Sequence, residues 1–320
     1  MDVSIIIINW NSKDYLRKCL ATLKSVSPGL DAEIIVLDNA SHDGCGEMLN
    51  REFPGVIFIQ SDKNLGFAKG NNVGASRAKG RYLLFLNPDT ELVEDSVSIL
   101  RSRLDSLPGA GAAGCRLVNA DGSLQSNSVM AFPNVLNQVL DSEYFRRTFP
   151  TWGVWGSAAL YSPCLSPSVV DAVSGACIMI DRDLFRSVGG FTEEYFMYAE
   201  EVDLCLKVRR SGRHVYYIPE TSVIHYGGGS SRKAKSSFAT VMMQESVHRF
   251  MRLNRGRLAA AGFRLAQCAC SLVRIFLILC LLPFDRSGVV RHGSGSLRKW
   301  YSILRWALGL ESWVRNYCKL

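Results

Sequence analysis

Val3-Ser4-Ile5-Ile6-Ile7-Ile8, followed at once by Asn9-Trp10-Asn11-Ser12, decides the fold. The first six residues, dominated by β-branched side chains, read as a buried strand, and the polar quartet reads as a turn. Beyond it Tyr15, Leu16, Cys19, Leu20 and Leu23 recur at helical spacing. The unit then repeats. Residues 33–37 end at Asp38-Asn39 before a helix reaching about Phe53, residues 56–59 precede a helix over about 67–78, and residues 82–86 end at Asn87-Pro88-Asp89 before a helix over 94–107. Strands alternating with helices predict an α/β fold whose mostly parallel sheet is covered on both faces. Ligands of such sheets bind beyond the carboxyl ends of the strands, where this chain carries Asn9, Asn11, Asp38, Asn39 and Asp89. The same residue types also form turns and cap helices.

The 320 residues are 48% hydrophobic and 21% charged, which excludes wholesale disorder and a disulfide miniprotein. Charge divides the chain in two: residues 1–225 hold 21 Lys+Arg against 26 Asp+Glu, and residues 226–320 hold 16 against 3. The expected domains are a catalytic one over residues 1–236 and a basic, helical one over 237–320. Ten scattered cysteines without a CxxC pair predict reduced thiols, and the absence of a signal-peptide pattern predicts a cytoplasmic protein. Gly109-Ala110-Gly111-Ala112-Ala113-Gly114 fits GxGxxG but follows a helix, the reverse of the dinucleotide arrangement, and reads as a flexible connector. Residues 125–167, rich in Ser, Pro and aromatics, read as a loop region over the sheet.

Chemistry-bearing residues gather in the middle of the chain. Asp89 follows a strand, Glu200 and Glu201 open a helix, and His225 precedes a glycine-rich basic stretch over 227–233. A diphosphate held with a divalent cation uses all of these groups: Asp and His as ligands, and a carboxylate to take the proton of an attacking hydroxyl.

Seven segments stand in order: VSIIIINWN (3–11), VLDNASHDG (36–44), NLGFAKGNN (64–72), NPDTEL (87–92), SGACIMIDRDLF (174–185), GGFTEEYFMYAEEVDLC (189–205) and HYGGGSS (225–231). Through them, residues 3–231 resemble family 2 glycosyltransferases of the GT-A type, in the bacterial rhamnosyltransferase-like branch. The resemblance implies a nucleoside held by Asn9, Asn11, Asp38 and Asn39, with Asp38 accepting from a pyrimidine N3 proton. Lys69 and Asn71 would face the nucleotide sugar. Asp89 would take the metal position of the DxD-type motif, with Asn87 replacing its first acid, and His225 would be the second ligand of Mg or Mn. Glu201 stands where the family usually has an aspartate base, with Glu200 beside it toward the acceptor. The implied activity is inverting, metal-dependent transfer of a sugar, rhamnose from dTDP-rhamnose before a UDP-sugar, onto a hydroxyl of a lipid-linked glycan in bacterial cell-surface polysaccharide synthesis. A nucleotidyltransferase, and a non-catalytic membrane scaffold on a decayed fold, are the competing classes.

In the basic region residues 238–253 read as an amphipathic helix, and residues 258–284 are apolar apart from Arg264 and Arg274 and the chain's polar uncharged positions. The longest charge-free run, 275–284, is shorter than the roughly 20 residues of a span. Helices lying on an anionic membrane are expected, with both arginines reaching for headgroups. Arg298, Lys299, Trp300, Tyr301, Arg305, Trp306, Trp313 and Arg315 add a composition suited to that layer. The expected location is peripheral, on the cytoplasmic face of the inner membrane, with no nucleic-acid partner. A helical subdomain packed for structural reasons alone is the competing reading.

Overall fold

The computed structural model describes residues 1–227, 237–281 and 294–317. The chain forms two compact units: one comprises Met1–Phe132, Ser142–Glu193 and Glu200–Ser230, the other Pro133–Asp141, Glu194–Ala199 and Ser231–Leu320.

The first unit opens as β1 (Val3–Asn9), α1 (Lys13–Val26), β2 (Ala32–Asp38), α2 (Cys45–Glu52), β3 (Ile57–Gln60), α3 (Gly66–Arg77) and β4 (Tyr82–Leu86). Every residue of β1 is buried, and α1 covers one sheet face with Leu16, Cys19, Leu20 and Leu23, as the helical spacing requires. The chain continues through β5 (Thr90–Leu92), α4 (Ser96–Ser106), β6 (Ala110–Val118) and β7 (Val129–Met130). A short helix of the second unit, α5 (Val135–Val139), interrupts it, followed by α6 (Glu143–Thr148), α7 (Ala158–Tyr161), β8 (Ser168–Val170), β9 (Ala172–Val173), β10 (Cys177–Asp181), α8 (Arg182–Ser187), α9 (Glu200–Arg210) and β11 (His214–His225).

Among the described residues, nine strands form one sheet in the order β3-β2-β1-β4-β10-β6-β11-β5, with β8 against β11; β7 and β9 form a separate ribbon. The β3-β2-β1-β4 half and the β6-β11 pair are parallel, whereas β10, β5 and β8 run antiparallel to their partners. The sheet is therefore mixed, and its parallel part is the repeating half that the periodicity predicts.

Residues 109–114 are no connector. Ala110–Val118 is a buried strand, with β10 on one side and β11 on the other. Its small residues serve close packing: a Cβ on Gly111 would lie 2.7 Å from the Leu184 side chain, and one on Gly114 would lie 2.6 Å from Cβ of Val173. Overpacking of a filled core costs about 1–3 kcal/mol. Gly114→Val is expected to lower the urea midpoint accordingly, with the slope of the transition unchanged; a wild-type midpoint would refute this packing argument.

β11 runs over twelve residues. Its register against β6 shifts between Ile218 and Ser222, an irregularity of the kind that bends a strand. The Glu94 carboxylate holds the bend, accepting from Thr221 Oγ1 (2.9 Å) and the Ser222 amide (3.0 Å). Past it, Val223–His225 pairs with β5, and His225 stands opposite Thr90.

The second unit contains α10 (Ser237–Arg255), α11 (Arg257–Leu281), α12 (Ser294–Ala307) and a 3₁₀ turn at Ser312–Tyr317. Phe196, Met242, Met251, Phe263, Trp306 and Val314 lie in its core. The arginines of α11 do not reach outward as the sequence suggested. Arg264 donates to the carbonyls of Trp306 (2.8 Å) and Ala307 (2.9 Å), closing the C-terminus of α12, and Arg274 donates to Val139 O (3.3 Å) and stacks over Trp300. Trp306 is 1% exposed and donates to Glu245. α11 buries Ala260, Phe263, Gln267 and Ser271. Leu258, Leu265, Leu272, Val273, Phe276 and Leu279 are all more than half exposed.

Candidate active site

The carboxyl ends of β1 and β2 are tied into one network. Asp38 accepts from Asn9 Nδ2 (2.8 Å) and Ser41 Oγ (2.5 Å) at one oxygen, and from the Ser41 amide (3.0 Å) and Gln60 Nε2 (2.9 Å) at the other. Burial pushes this carboxyl up, but the bonds from Ser41, Gln60 and Asn9 outweigh it and hold it below the usual carboxylate range. A carboxylate offers about four lone-pair sites, and here all are filled. Asp38 thus has no idle site for a nucleobase proton, and a base reaching it must displace one of these donors. Gln60, at the end of β3, escaped the sequence reading because nothing in its type or spacing marks it.

Four other residues expected to face the donor have partners of their own. Asn39 accepts the Leu65 amide (2.7 Å) and donates to Asn64 Oδ1 (2.9 Å) and Gly66 O (3.1 Å), pinning the entry of α3 to the end of β2. Asn71 is 1% exposed and donates to Phe67 O within its own helix. Lys69 lies 3.8 Å from the Glu193 carboxylate, both part-exposed, a weak tie. Asn11 holds a left-handed conformation (φ 54°), and its amide donates to Ser41 Oγ (2.9 Å).

Asp89 and His225 are brought together from residues far apart in sequence. His225 Nε2 lies 3.4 Å from Asp89 Oδ1 and 3.3 Å from Asn87 Nδ2, and the Tyr226 amide donates to Asp89 O (3.0 Å). The other ring nitrogen, Nδ1, is 3.0 Å from Gln125 Oε1, while Gln125 Nε2 donates to the His225 carbonyl. An amide oxygen can only accept, so Nδ1 carries a proton, and in the neutral ring Nε2 keeps the lone pair that a metal ligand needs. One carboxylate oxygen and one correctly oriented imidazole nitrogen suit Mg or Mn whose remaining positions are filled by diphosphate oxygens and water. Gln125 was not foreseen; only the folded chain shows it behind the histidine. Most of the glycine-rich basic stretch expected beside His225, from Gly228 onward, lies outside the described residues.

Glu200 and Glu201 open α9, where the helix dipole favours negative charge. Glu200 is buried. Glu201 receives backbone N–H groups of Glu201 and Val202, while its Oε2 is shut off from solvent and lacks a hydrogen-bond partner. Burial outweighs the backbone bonds and raises its carboxyl to about 7. The segment before β10 joins this helix to the Asp89 turn. A Cβ on Gly175 would lie 3.3 Å from Glu201 Cβ, and the next residue, Ala176, accepts the Asn87 amide at 3.0 Å. Asp203 has a structural part, accepting from Thr192 (2.6 Å) with Lys207 at 3.6 Å.

Asp38, Asp43 and Cys45 also bring three potential ligand atoms within 4.8 Å of one another. This cluster is wiring. Asp43 accepts the amides of Lys13 (3.0 Å) and Cys45 (3.1 Å), at the starts of α1 and α2. Burial also raises the Cys45 thiol far above its ordinary range.

The sequence profile described as Glycosyl transferase family 2 matches residues 4–165, just over half of the chain. The N-acetylglucosaminyl-diphospho-decaprenol L-rhamnosyltransferase of Mycobacterium tuberculosis H37Rv is 26% identical over 250 residues, 73% of this chain and 78% of the relative. Rhamnosyltransferase WbbL of Escherichia coli K12 is 29% identical over 237 residues, 72% and 85% of the two chains. Among solved structures, the mannosyltransferase PcManGT from Pyrobaculum calidifontis, in complex with GDP-Man and Mn2+, superposes with a TM-score of 0.60 over 97% of this chain and 87% of that one. At 14% identity that likeness concerns the fold.

Proposed function

Because the chain belongs to glycosyl transferase family 2, we infer that it transfers a sugar, with inversion, from a nucleoside diphosphate to a hydroxyl of a lipid-linked glycan in bacterial cell-surface polysaccharide synthesis. The two rhamnosyltransferase relatives favour dTDP-rhamnose as donor, with a UDP-sugar next, and the M. tuberculosis relative's name favours an N-acetylglucosaminyl diphospholipid as acceptor. The observation that carries this reading is the oriented Asp89–His225 pair, tethered through Gly175-Ala176 to a buried helix-opening carboxylate.

In this reading Asp89 Oδ1 and His225 Nε2 hold the divalent ion, and Gln125 fixes the imidazole. The ion, when bound, supplies positive charge to the departing diphosphate. Glu201 in its ionised form takes the proton from the acceptor hydroxyl, whose oxygen attacks the anomeric carbon on the side opposite the diphosphate. The network around Asn9, Asp38 and Gln60 forms the floor for the nucleobase and Asn39 supports it from behind, while Asn71 backs the sugar side of the site and Lys69 faces the sugar once released from Glu193.

Thermal unfolding with dTDP-, UDP- and GDP-sugars, each with Mn or with EDTA, tests the donor reading, because a ligand of the native state raises its melting temperature. Metal-dependent stabilisation by dTDP-rhamnose is expected. Failure of every donor on a folded sample would overturn the reading in favour of the decayed scaffold, and pyrophosphate release during turnover would favour a nucleotidyltransferase.

The catalytic region over residues 1–236 and the basic region over 237–320 divide this work. The outer face of α11 attaches the protein to an anionic membrane from the cytoplasmic side. α11 is 25 residues long with a mean hydropathy of 1.8 in its most apolar window, so length and composition would also let it cross. Its buried stripe, with Arg264 and Arg274 bonded to carbonyls, favours an in-plane position. Leu272→Glu with Phe276→Glu is expected to move the protein from the membrane pellet to the supernatant; retention of these variants in the pellet would refute attachment through this face.

A further inference from the structure

We propose that Gly175 is a positioning residue for the base: the methyl group it lacks leaves a slot, bordered by Phe67, in which the stem of Glu201 is held. The inference rests on the glycosyl-transfer reading above, with Glu201 as the base. A Cβ on Gly175 would lie 3.3 Å from Cβ and 3.5 Å from Cγ of Glu201, and 3.6 Å from Cζ of Phe67. The tip of the ring and the stem of the carboxylate thus flank one point, which glycine leaves empty.

Space, and not backbone conformation, is what asks for glycine here. Gly189 and Gly190 adopt left-handed backbones (φ 81° and 62°), whereas Gly175 does not. An alanine would therefore suffer no backbone strain of that kind at 175. It would add one methyl group to a filled interior, at a separation from Glu201 that obliges one side to give by a few tenths of an ångström.

The side that gives is Glu201. The turn carrying Gly175 is pinned on both flanks: the Ser174 amide donates to Ser128 O (3.3 Å), the Ala176 amide to Ser174 Oγ (3.3 Å) and the Cys177 amide to Ser174 O (3.4 Å), while Ala176 O accepts the Asn87 amide (3.0 Å). Phe67 is set edge-on against Phe191, with centroids 5.9 Å apart. Glu201, by contrast, is a chain of rotatable bonds whose Oε2 has no hydrogen-bond partner to hold it. A displacement at its Cγ carries the carboxylate with it. A base must come within about 2.6–3.2 Å of the proton-bearing atom, and a misplacement of about 1 Å can cost roughly a hundredfold in rate.

The test uses the full chain with Mn, dTDP-rhamnose and a synthetic N-acetylglucosaminyl diphosphate on a short alkyl chain as the acceptor probe. Gly175→Ala is expected to lower kcat roughly tenfold, with the KM for the probe and the Mn-dependent rise in melting temperature with donor unchanged. The deciding measurement repeats Gly175→Ala in the Glu201→Gln chain. Glutamine has the same stem and meets the same methyl group but has no base to misplace, so kcat there should change less than about twofold. Equal losses in the two backgrounds would overturn the proposal by showing a general packing lesion. So would an unchanged kcat in Gly175→Ala, or loss of the Mn-dependent rise, which would route the effect through Ala176 to the metal turn. Should Gly175→Ala fail to fold, Phe67→Leu, which withdraws the ring tip from the slot, reads the same cycle: a loss confined to chains with Glu201 supports the proposal, and equal losses or none overturn it. Parent-level turnover in Glu201→Gln would remove the base assignment itself, and a folded parent chain that transfers nothing to the probe would remove the glycosyl-transfer reading, each taking this proposal with it.

Discussion

Glu201→Gln lowers the rate of sugar transfer by roughly two to four orders of magnitude, the ordinary worth of a positioned general base, and leaves donor binding as it was. The amide preserves the size of the side chain and its place at the head of α9 but cannot take a proton. Two pH signatures separate this from a structural lesion. Burial places the carboxyl near 7, so the ionised base accumulates only as the pH climbs through that value, and the transfer rate rises with it. Stability runs the other way. Between the ordinary 4.5 and about 7, the folded chain keeps a proton that the unfolded chain has released, so stability falls as the pH rises across that window and levels off above it. Glu201→Gln abolishes that fall and should melt higher than the parent at pH 8. Undiminished turnover would take Glu201 out of the mechanism and direct the same substitution to Glu200.

Asp89→Ala abolishes the metal-dependent part of donor binding. At a donor concentration one hundred times its dissociation constant, binding stabilises the native state by about 2.7 kcal/mol, and with Mn present the variant should lose that increment and unfold as the parent does with EDTA. Gln125→Ala, which frees the imidazole to rotate and change tautomer, is expected to weaken the metal about 10- to 100-fold without removing a ligand. A graded loss at Gln125 and a complete one at Asp89 would show that Asp89 holds the metal while Gln125 only orients the imidazole. A donor shift that survives Asp89→Ala would sink the metal assignment.

The parallel half of the sheet was legible because its strands and helices are local patterns. Residues 3–8 need only their own β-branched side chains to declare a strand, and Leu16, Leu20 and Leu23 only their spacing. The antiparallel half depends on partners distant in the chain. Ala110–Val118 looks like a flexible tract because its small residues make room for Leu184 and Val173, which lie far ahead in sequence. β9 ends at Val173 and β10 starts at Cys177, a break between two strands that the small residues Ser174, Gly175 and Ala176 do not announce by spacing. The site followed the same division. Asp89, Glu201 and His225 announce themselves by type and by their place at element ends. Gln60 and Gln125 are ordinary glutamines until folding sets them beside Asp38 and His225. Arg264 and Arg274 misled for a related reason, since a cation in an apolar helix points to a headgroup only if no carbonyl is nearer.

If the proposed nucleobase floor holds, the filled carboxylate of Asp38 would turn nucleotide entry into an exchange reaction. A ring N–H that arrived there would take over the place of one of the four donors, so the anion would never be left bare and the swap would be close to neutral in hydrogen-bond count. A ring nitrogen that presents a lone pair at the same spot evicts a donor and returns none, leaving a buried negative charge short of a bond. Discrimination among bases would then be set by the penalty on the wrong partner, and the pocket would read protonation pattern ahead of shape.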